Sequence, residues 1–267
     1  MAQGRDVAGV ADRVEGHPAL QIGARVGYAV SGVLHLLIAW IALQVAWIAS
    51  DKPADQSGAL QTLAGSSLGR LTLWVAVLGF LALGLWQLAN ALAVRTGGES
   101  SKWAVKAKGV AKSVVYLMLA WTSFSFAKGQ PSSSKAQSAD FTATLLQHTG
   151  GRLLVAVIGV VVLGVGAYHV NKGWTKKFLL DLSENPGTVV TRAGVVGYIA
   201  KGIALAVVGA LFIAAAAQNS SSQATGLDGA LRSLRQQAVG AWLLTAVALG
   251  IAAYGVYSLA RSRHARV

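Results

Sequence analysis

The sequence predicts an all-α membrane protein of six transmembrane helices. They form three hairpins inserted in the same orientation, with both termini cytoplasmic. Three observations carry this prediction. Six apolar runs are long enough to cross a bilayer, Lys and Arg crowd into alternate connections, and one two-helix phrase recurs three times. The bulk composition agrees: 54% of the 267 residues are hydrophobic, 12% are charged and the mean hydropathy is +0.53. That is too apolar for an ordinary soluble domain.

A helix needs about 20 mostly apolar residues to span the hydrocarbon core. The runs at 25–49, 70–93, 109–127, 152–170, 194–217 and 238–260 qualify, and none contains Asp or Glu. Residues 1–22 form a polar tail that lacks the basic start, short apolar core and cleavage site of a secretory signal. The first helix is therefore expected to direct insertion itself. The connections then set orientation. Arg5, Arg13 and Arg25 lie in the N-terminal tail, and Arg95, Lys102, Lys106, Lys108 and Lys112 in the second connection. Lys172, Lys176, Lys177, Arg192 and Lys201 lie in the fourth, and Arg261, Arg263 and Arg266 in the C-terminal tail. The other three connections share the seven that remain of 23. Short basic loops stay cytoplasmic. The net charge of +13 thus reflects topology and attraction to anionic lipid headgroups at the cytoplasmic face, not nucleic acid. Cysteine is absent, which excludes disulfides, thiolate metal sites and cysteine nucleophiles.

The repeat is visible residue by residue. "GVLHLLIAW" (32–40) lies over "SVVYLMLAW" (113–121), and Val26, Gly27, Tyr28 and Gly32 recur as Val196, Gly197, Tyr198 and Gly202. Among the even helices, "LGRLTLW" (68–74) matches "GGRLLVA" (150–156) and, more loosely, "VGAWLLT" (239–245). Each outer connection holds a short amphipathic piece: "GALQTLAG" (58–65), "FTATLLQH" (141–148) and "GALRSLRQ" (229–236). The units run over 23–98, 99–172 and 173–260, followed by a basic tail at 261–267. Parallel repeats relate by an axis along the membrane normal, so a six-helix bundle with pseudo-three-fold symmetry is expected. The third unit carries an extra stretch, "KGWTKKFLLDLSENPGT" (172–188). Trp174, Phe178 and Leu182 share one helical face there, which predicts an amphipathic helix in the cytoplasmic interface.

Glycines five residues apart recur as Gly27/Gly32, Gly79/Gly84, Gly159/Gly164, Gly197/Gly202 and Gly250/Gly255. Five steps leave the two members roughly 140° apart around a helix. Such a pair suits a helix approached closely by two neighbours. Near the inner ends of the even helices stand Trp86, Tyr168 and Tyr257, each followed four residues later by Asn90, Lys172 or Arg261. With Trp174, they are expected to be interfacial anchors. The "RVGYAVSGVLHLLIA" opening (25–39), the "GALQTLAGSSLGR" connection (58–70) and the triple hairpin resemble a bacterial membrane family catalogued as domain of unknown function 1206. The likeness spans residues 22–262. The "TRAGVVGYIAKG" of the third copy is close to the family's pattern, and the middle copy departs from it at Gly109, where the others have Tyr28 and Tyr198. The resemblance implies an integral protein of the bacterial cytoplasmic (inner) membrane and implies no activity.

An ionisable residue within a membrane helix is costly and therefore a functional candidate. His35 is the clearest, with Ser31 and Tyr28 on its face; the aligned positions hold Lys112 and Tyr116 in the third helix and Tyr198 and Lys201 in the fifth. If the three stripes converge, they form an inner vestibule suited to an anionic solute. Two blander readings stand beside it: lysines that snorkel to the headgroups, and a neutral histidine bonded across a helix interface. His169 reads as interfacial, and Gln87 and Asn90 as polar glue. No carboxylate lies in a span to relay protons, no His/Asp/Glu cluster has metal-ligand spacing, and neither GxxxxGK[ST] nor GxSxG occurs. The expectation is a non-enzymatic protein without metal or cofactor. Its role is a scaffold or accessory subunit beside a membrane protein partner, or else a small channel or carrier for an anionic or amphipathic solute.

Overall fold

Pro18 stands at the start of the first helix, where its missing N–H leaves no hydrogen bond unmade. The computed structural model describes residues 18–48, 50–93 and 99–266, without the side chains of 93, 99–102 and 104. Most of the predicted N-terminal tail, and Arg95, lie outside these residues. In chain order the helices are α1 (Pro18–Trp47), α2 (Gln56–Ala64), α3 (Ser67–Ala93), α4 (Glu99–Ala127), α5 (Ser134–Leu146), α6 (Gly151–Trp174), α7 (Gly187–Gln218), α8 (Gly226–Arg235) and α9 (Gly240–His264). Among the described residues there is no strand, only an isolated bridge between Leu182 and Ala265. Six helices, α1, α3, α4, α6, α7 and α9, are long and apolar enough to cross a membrane. A helix satisfies its own backbone, which a bilayer demands of any spanning segment.

The short helices α2, α5 and α8 lie in the connections within each hairpin, at one end of the bundle. Asp55 caps α2 by accepting from the Gly58 N–H at 3.2 Å, and Ser133 caps α5 through the Ala136 N–H at 3.2 Å. Polar ties hold this end shut. The Asp228 carboxylate accepts from the Ala54 N–H at 2.8 Å and from Arg232 Nε at 3.0 Å, while Arg235 Nε donates to the Ala46 carbonyl at 2.9 Å. Below them lies a packed apolar core in which Leu60, Leu73, Phe80, Leu231 and Leu244 are fully buried.

The long helices pack in the order α6, α7, α9, α1, α3, α4, and the two ends of that series, α4 and α6, scarcely touch. The arrangement is a ring with one open seam, and the seam falls inside the middle hairpin. Close crossings explain it. Between successive hairpins, a Cβ on Gly32 would sit 2.9 Å from the Gly255 carbonyl oxygen, and one on Gly202 would sit 2.6 Å from that of Gly166. At the third such crossing Ser113 stands in place of glycine, and its hydroxyl donates to the Gly84 carbonyl at 2.8 Å. Within the first hairpin, a Cβ on Gly27 would lie 2.6 Å from the Gly79 oxygen; within the third, Gly197 abuts the Tyr254 backbone and Gly250 abuts Ala200. The aligned positions of the middle hairpin are Lys108 and Val161. Neither permits backbones to meet, and the helices stand apart.

Two expectations need correction. Gly27 and Gly32 face α3 and α9, Gly79 and Gly84 face α1 and α4, Gly197 and Gly202 face α9 and α6, and Gly250 and Gly255 face α7 and α1. Gly159 meets Gly209 and Ile213 on α7, but a Cβ on Gly164 would have nothing within 4 Å, because no second long helix packs closely on α6. The stretch expected to form an amphipathic interfacial helix is instead a 3-10 turn, Lys177–Asp181. Phe178 and Leu182 point inward, and Trp174 is 78% exposed. The turn follows Lys176, whose left-handed φ of 56° ends the helical course of the chain.

The crossings make a direct prediction. Gly202→Val forces a side chain against the Gly166 backbone and is expected to cost about 1–3 kcal/mol, as overpacking does. Gly164→Val is expected to be neutral. Thermal unfolding of the purified protein in one detergent compares them.

Candidate functional site

The end of the bundle opposite the short helices is closed by the 3-10 turn and the C-terminal residues. The Ser183 N–H donates to the His264 carbonyl at 2.8 Å, and the Arg266 N–H to the Asp181 carbonyl at 3.1 Å. The Tyr257 hydroxyl donates to the Phe178 carbonyl at 3.3 Å. The Phe178 ring stacks on Tyr198 at 5.3 Å and meets Tyr257 edge-on at 5.1 Å. It also fills the space over Gly194, where a Cβ would come 2.5 Å from the ring.

Beneath this seal the basic side chains turn inward. Lys172 Nζ, at the end of α6, donates to the Asp181 carboxylate at 2.6 Å, and the Arg261 guanidinium, near the end of α9, lies 3.5 Å from the same carboxylate. Lys112 also lies within electrostatic range of Asp181. Arg261 covers the Tyr28 ring at 4.3 Å and Lys172 the Tyr198 ring at 5.2 Å. Deeper in, Lys201 Nζ lies 4.1 Å from the Tyr254 ring centre and 3.4 Å from His35 Nε2. The His35 Nδ1 is 2.6 Å from the Ser31 carbonyl, which only accepts, so Nδ1 carries hydrogen and Nε2 offers its lone pair to Lys201. His35 also packs on Tyr254 at 4.7 Å. Tyr116 stacks on Phe80 at 6.3 Å and completes the wall.

The candidate stripes of α1, α4 and α7 therefore occupy one region, with Tyr28, Ser31, His35, Lys112, Tyr116, Tyr198 and Lys201 around it. The sequence reading missed several members. Tyr254, Lys172 and Arg261 come from even helices, and Asp181 comes from a connection. Trp86 and Tyr257 are not interfacial anchors: they are 6% and 0% exposed, because the turn and the tail fold over these helix ends. Tyr168 and Trp174 do remain exposed. His169, expected at the interface, stacks on Tyr198 at 5.7 Å. The signal for Lys172 and Arg261 was present, since each stands four residues after an aromatic at aligned positions. That spacing puts ring and charge on one face, but it cannot say whether the face looks in or out.

The charges do not balance. Arg261, Lys172 and Lys112 lie around a single carboxylate, with Lys201 deeper in beside His35 and Lys108 at the rim. Two buried donors at this centre also lack a hydrogen-bond partner, Trp86 Nε1 and Arg261 Nε, and the Tyr28 hydroxyl has only the Gln87 side chain beside it. Buried donors are nearly always paired in native proteins, so this centre is short of acceptors. Burial raises the Asp181 carboxyl, but Arg261 and Lys172 outweigh it and hold the group below its ordinary value. Beyond His35 the interior turns apolar through Ile38, Ala42 and Val45. The polar centre is a cluster of packed side chains, closed at its inner end by these apolar residues. No group of three or more His, Cys, Asp or Glu capable of holding a metal occurs among the described residues. A separate groove of about 1010 Å³ runs outside the seal, along the 3-10 turn and the start of α7, with Lys176, Arg192 and Arg266 among its walls.

These features define a multi-pass helical membrane protein built from a repeated hairpin. The sequence pattern of the family described as Domain of Unknown Function (DUF1206) matches residues 26–93, 107–176 and 196–265, and the chain belongs to that family. It is similar to the uncharacterized protein YxxB of Bacillus subtilis (strain 168), with 25% identity over 252 residues, 92% of this chain and 91% of that protein. No solved structure matches the chain.

Asp181 gives the second prediction. Its lowered pKa means that it stabilises the seal fully above its ordinary value of 3.8 and loses that contribution as pH falls through the lowered value. Asp181→Asn is expected to cost about 1.5–3 kcal/mol near neutrality, the scale of hydrogen bonds to charged groups. The variant should also show a weaker acid-induced loss of stability below about pH 4. Unfolding followed across pH in detergent checks both.

Proposed function

We propose that the protein is a non-enzymatic carrier or receptor of a bacterial cytoplasmic membrane, whose buried polar centre opens as a blind chamber for an anionic or amphipathic solute. The observation that carries the reading is the excess of buried and half-buried cations over one carboxylate, together with the unpaired Trp86 Nε1 and Arg261 Nε. A negatively charged ligand supplies the missing acceptors, and its phosphate or carboxylate gains charge-assisted hydrogen bonds in a low-dielectric site. Asp181 is the stand-in for that ligand. It already occupies Lys172 and Arg261, so ligand entry and loosening of the seal are coupled by competition for the same cations.

In this reading the hairpins relate by a pseudo-three-fold axis, and the sealed basic end faces the cytoplasm with both termini. The asymmetry of Lys and Arg between alternate connections supports that orientation. The groove walled by Lys176, Arg192 and Arg266 then lies where anionic headgroups are found, and it attracts them. The packed core under α2 and α8 argues against an open pore and for binding from one side.

The cysteine-free chain makes the test direct. Single cysteines at positions 112 and 201 are expected to react with a membrane-impermeant thiol reagent added from the cytoplasmic side. Dodecyl phosphate should slow the reaction, and dodecyl maltoside should not. Cysteines at 42 and 248, in the apolar core, should stay unreactive. Equal protection of all four positions sinks the chamber.

The scaffold reading keeps one observation in its favour, the bare face of α6 around Gly164. A polypeptide recovered in constant proportion through several mild detergents would support it.

A further inference from the structure

The open seam between α4 and α6 has a chemistry of its own. On α4, Lys108, Lys112 and Val115 follow one another at helical spacing; on α6, Tyr168, Gly164 and Val161 do the same. Val115, Val161, Gly164 and Tyr168 are exposed, and Lys112 is half-buried. Among the described residues the one polar link across the gap is at its basic end, where Lys108 Nζ donates to the Tyr168 hydroxyl at 2.5 Å and lies 4.4 Å from the ring centre. The seam is thus cationic at one end and apolar along the rest. Its cationic end borders the polar centre, since Lys112 lies within electrostatic range of Asp181, Lys172 and Arg261. At the equivalent places in the other hairpins the helices are in backbone contact, through Gly27 and Gly79 and through Gly197 and Tyr254. The middle hairpin substitutes a charge and a branched side chain at the positions that otherwise close the gap.

We infer that this seam is a lateral binding site for an anionic phospholipid of the leaflet at the basic end. Its phosphate lies between Lys108 and Lys112, and one acyl chain lies along Val115, Val161 and Gly164. The inference rests on the chamber reading and names its solute: a phospholipid that reaches the cations from within the bilayer. The occupant's shape follows from the seam. A soluble anion has no use for the apolar length, and a zwitterionic lipid offsets its phosphate with its own ammonium, which the two lysines repel. A partner helix at Val161 would meet a branched side chain at the position where the other hairpins place glycine. Exchange requires only that the Lys108–Tyr168 link opens, and that link is an exposed side-chain contact, cheap to break.

The test uses the full chain in phosphatidylcholine nanodiscs that carry trace phosphatidylglycerol or phosphatidylcholine with a photoreactive acyl chain. Cross-linked peptides are mapped by mass spectrometry. The seam peptides, 105–120 and 153–170, should take up the phosphatidylglycerol probe about tenfold more than the phosphatidylcholine probe, since both phosphates accept from lysine but only phosphatidylglycerol brings a net negative charge to the two lysines. The exposed face of α3 around Leu71 and Leu78 should show no preference. Lys108→Gln with Lys112→Gln should abolish the preference. Gly164→Trp, whose side chain projects into open space and leaves the packing intact, should reduce labelling of the seam several-fold. Equal labelling by both lipids, or an unaltered preference in both variants, overturns the inference. So does complete displacement of the probe by inorganic phosphate, which identifies a phosphate site, and so does a cross-linked polypeptide in place of lipid. If seam preference is absent while dodecyl phosphate still protects thiols at 112 and 201, the lipid site falls and the chamber stands. If the preference is present and those thiols never respond, the chamber falls and the seam is a surface lipid site.

Discussion

Lipid tails are as apolar as leucine, so two membrane helices gain little by merely hiding apolar side chains from their surroundings. They associate where backbones come close enough for dense packing and for polar groups to meet. In this protein that condition is met at crossings built on glycine or serine: Gly32 with Gly255, Ser113 with Gly84, Gly202 with Gly166, and Gly27 with Gly79. Everything else depends on them. They set the order of helices around the bundle, bring the stripes of α1, α4 and α7 to one region, and leave a gap at the hairpin whose crossing positions hold Lys108 and Val161.

Charge is the second constraint, and it follows from the first. Once the helices are drawn together, Lys172 and Arg261 at the ends of α6 and α9 have two outlets, the headgroups or the interior. The 3-10 turn decides the matter by delivering Asp181 between them. Phe178 and Tyr257 hold the turn in place, and the paired backbones of Ser183 and His264 fasten it to the C-terminal end. One carboxylate beside Lys172, Arg261 and Lys112, with Lys201 deeper in, leaves more cations than carboxylates at this centre. In a setting where ions are expensive, that imbalance sets the centre apart from an ordinary polar core.

Much of this was legible in the sequence, for physical reasons that differ by feature. The spans were legible because a bilayer imposes length and apolarity on every crossing segment. The inward glycines were legible because five-residue spacing fixes an angle around a helix. The failures share a cause, since helical spacing tells which residues share a face and not what that face meets. Trp86 and Tyr257 have the pattern of interfacial aromatics and lie buried. Phe178 and Leu182 have the pattern of a membrane-facing stripe and point into protein. Gly164 has the spacing of a packing residue and packs on nothing. Asp181 carried no local signal at all, because its partners are brought together only by the fold.

The middle hairpin ties these threads together. A repeated unit whose copies are equivalent closes into a ring, and a closed ring isolates its interior from the bilayer. Loss of the hairpin glycines in one copy breaks the ring at one place, while the three crossings between hairpins, which hold the bundle together, are untouched. The divergence is therefore confined to the contacts the fold can spare. It also installs a cation at the break, at the end nearest the other cations. Lys108 stands in the first turn of its span, where a long cationic side chain reaches the headgroups at little cost, and it bridges the break to Tyr168. The substitution that holds the two helices apart thus also places a cation at the mouth of the seam, while the apolar length behind it stays exposed.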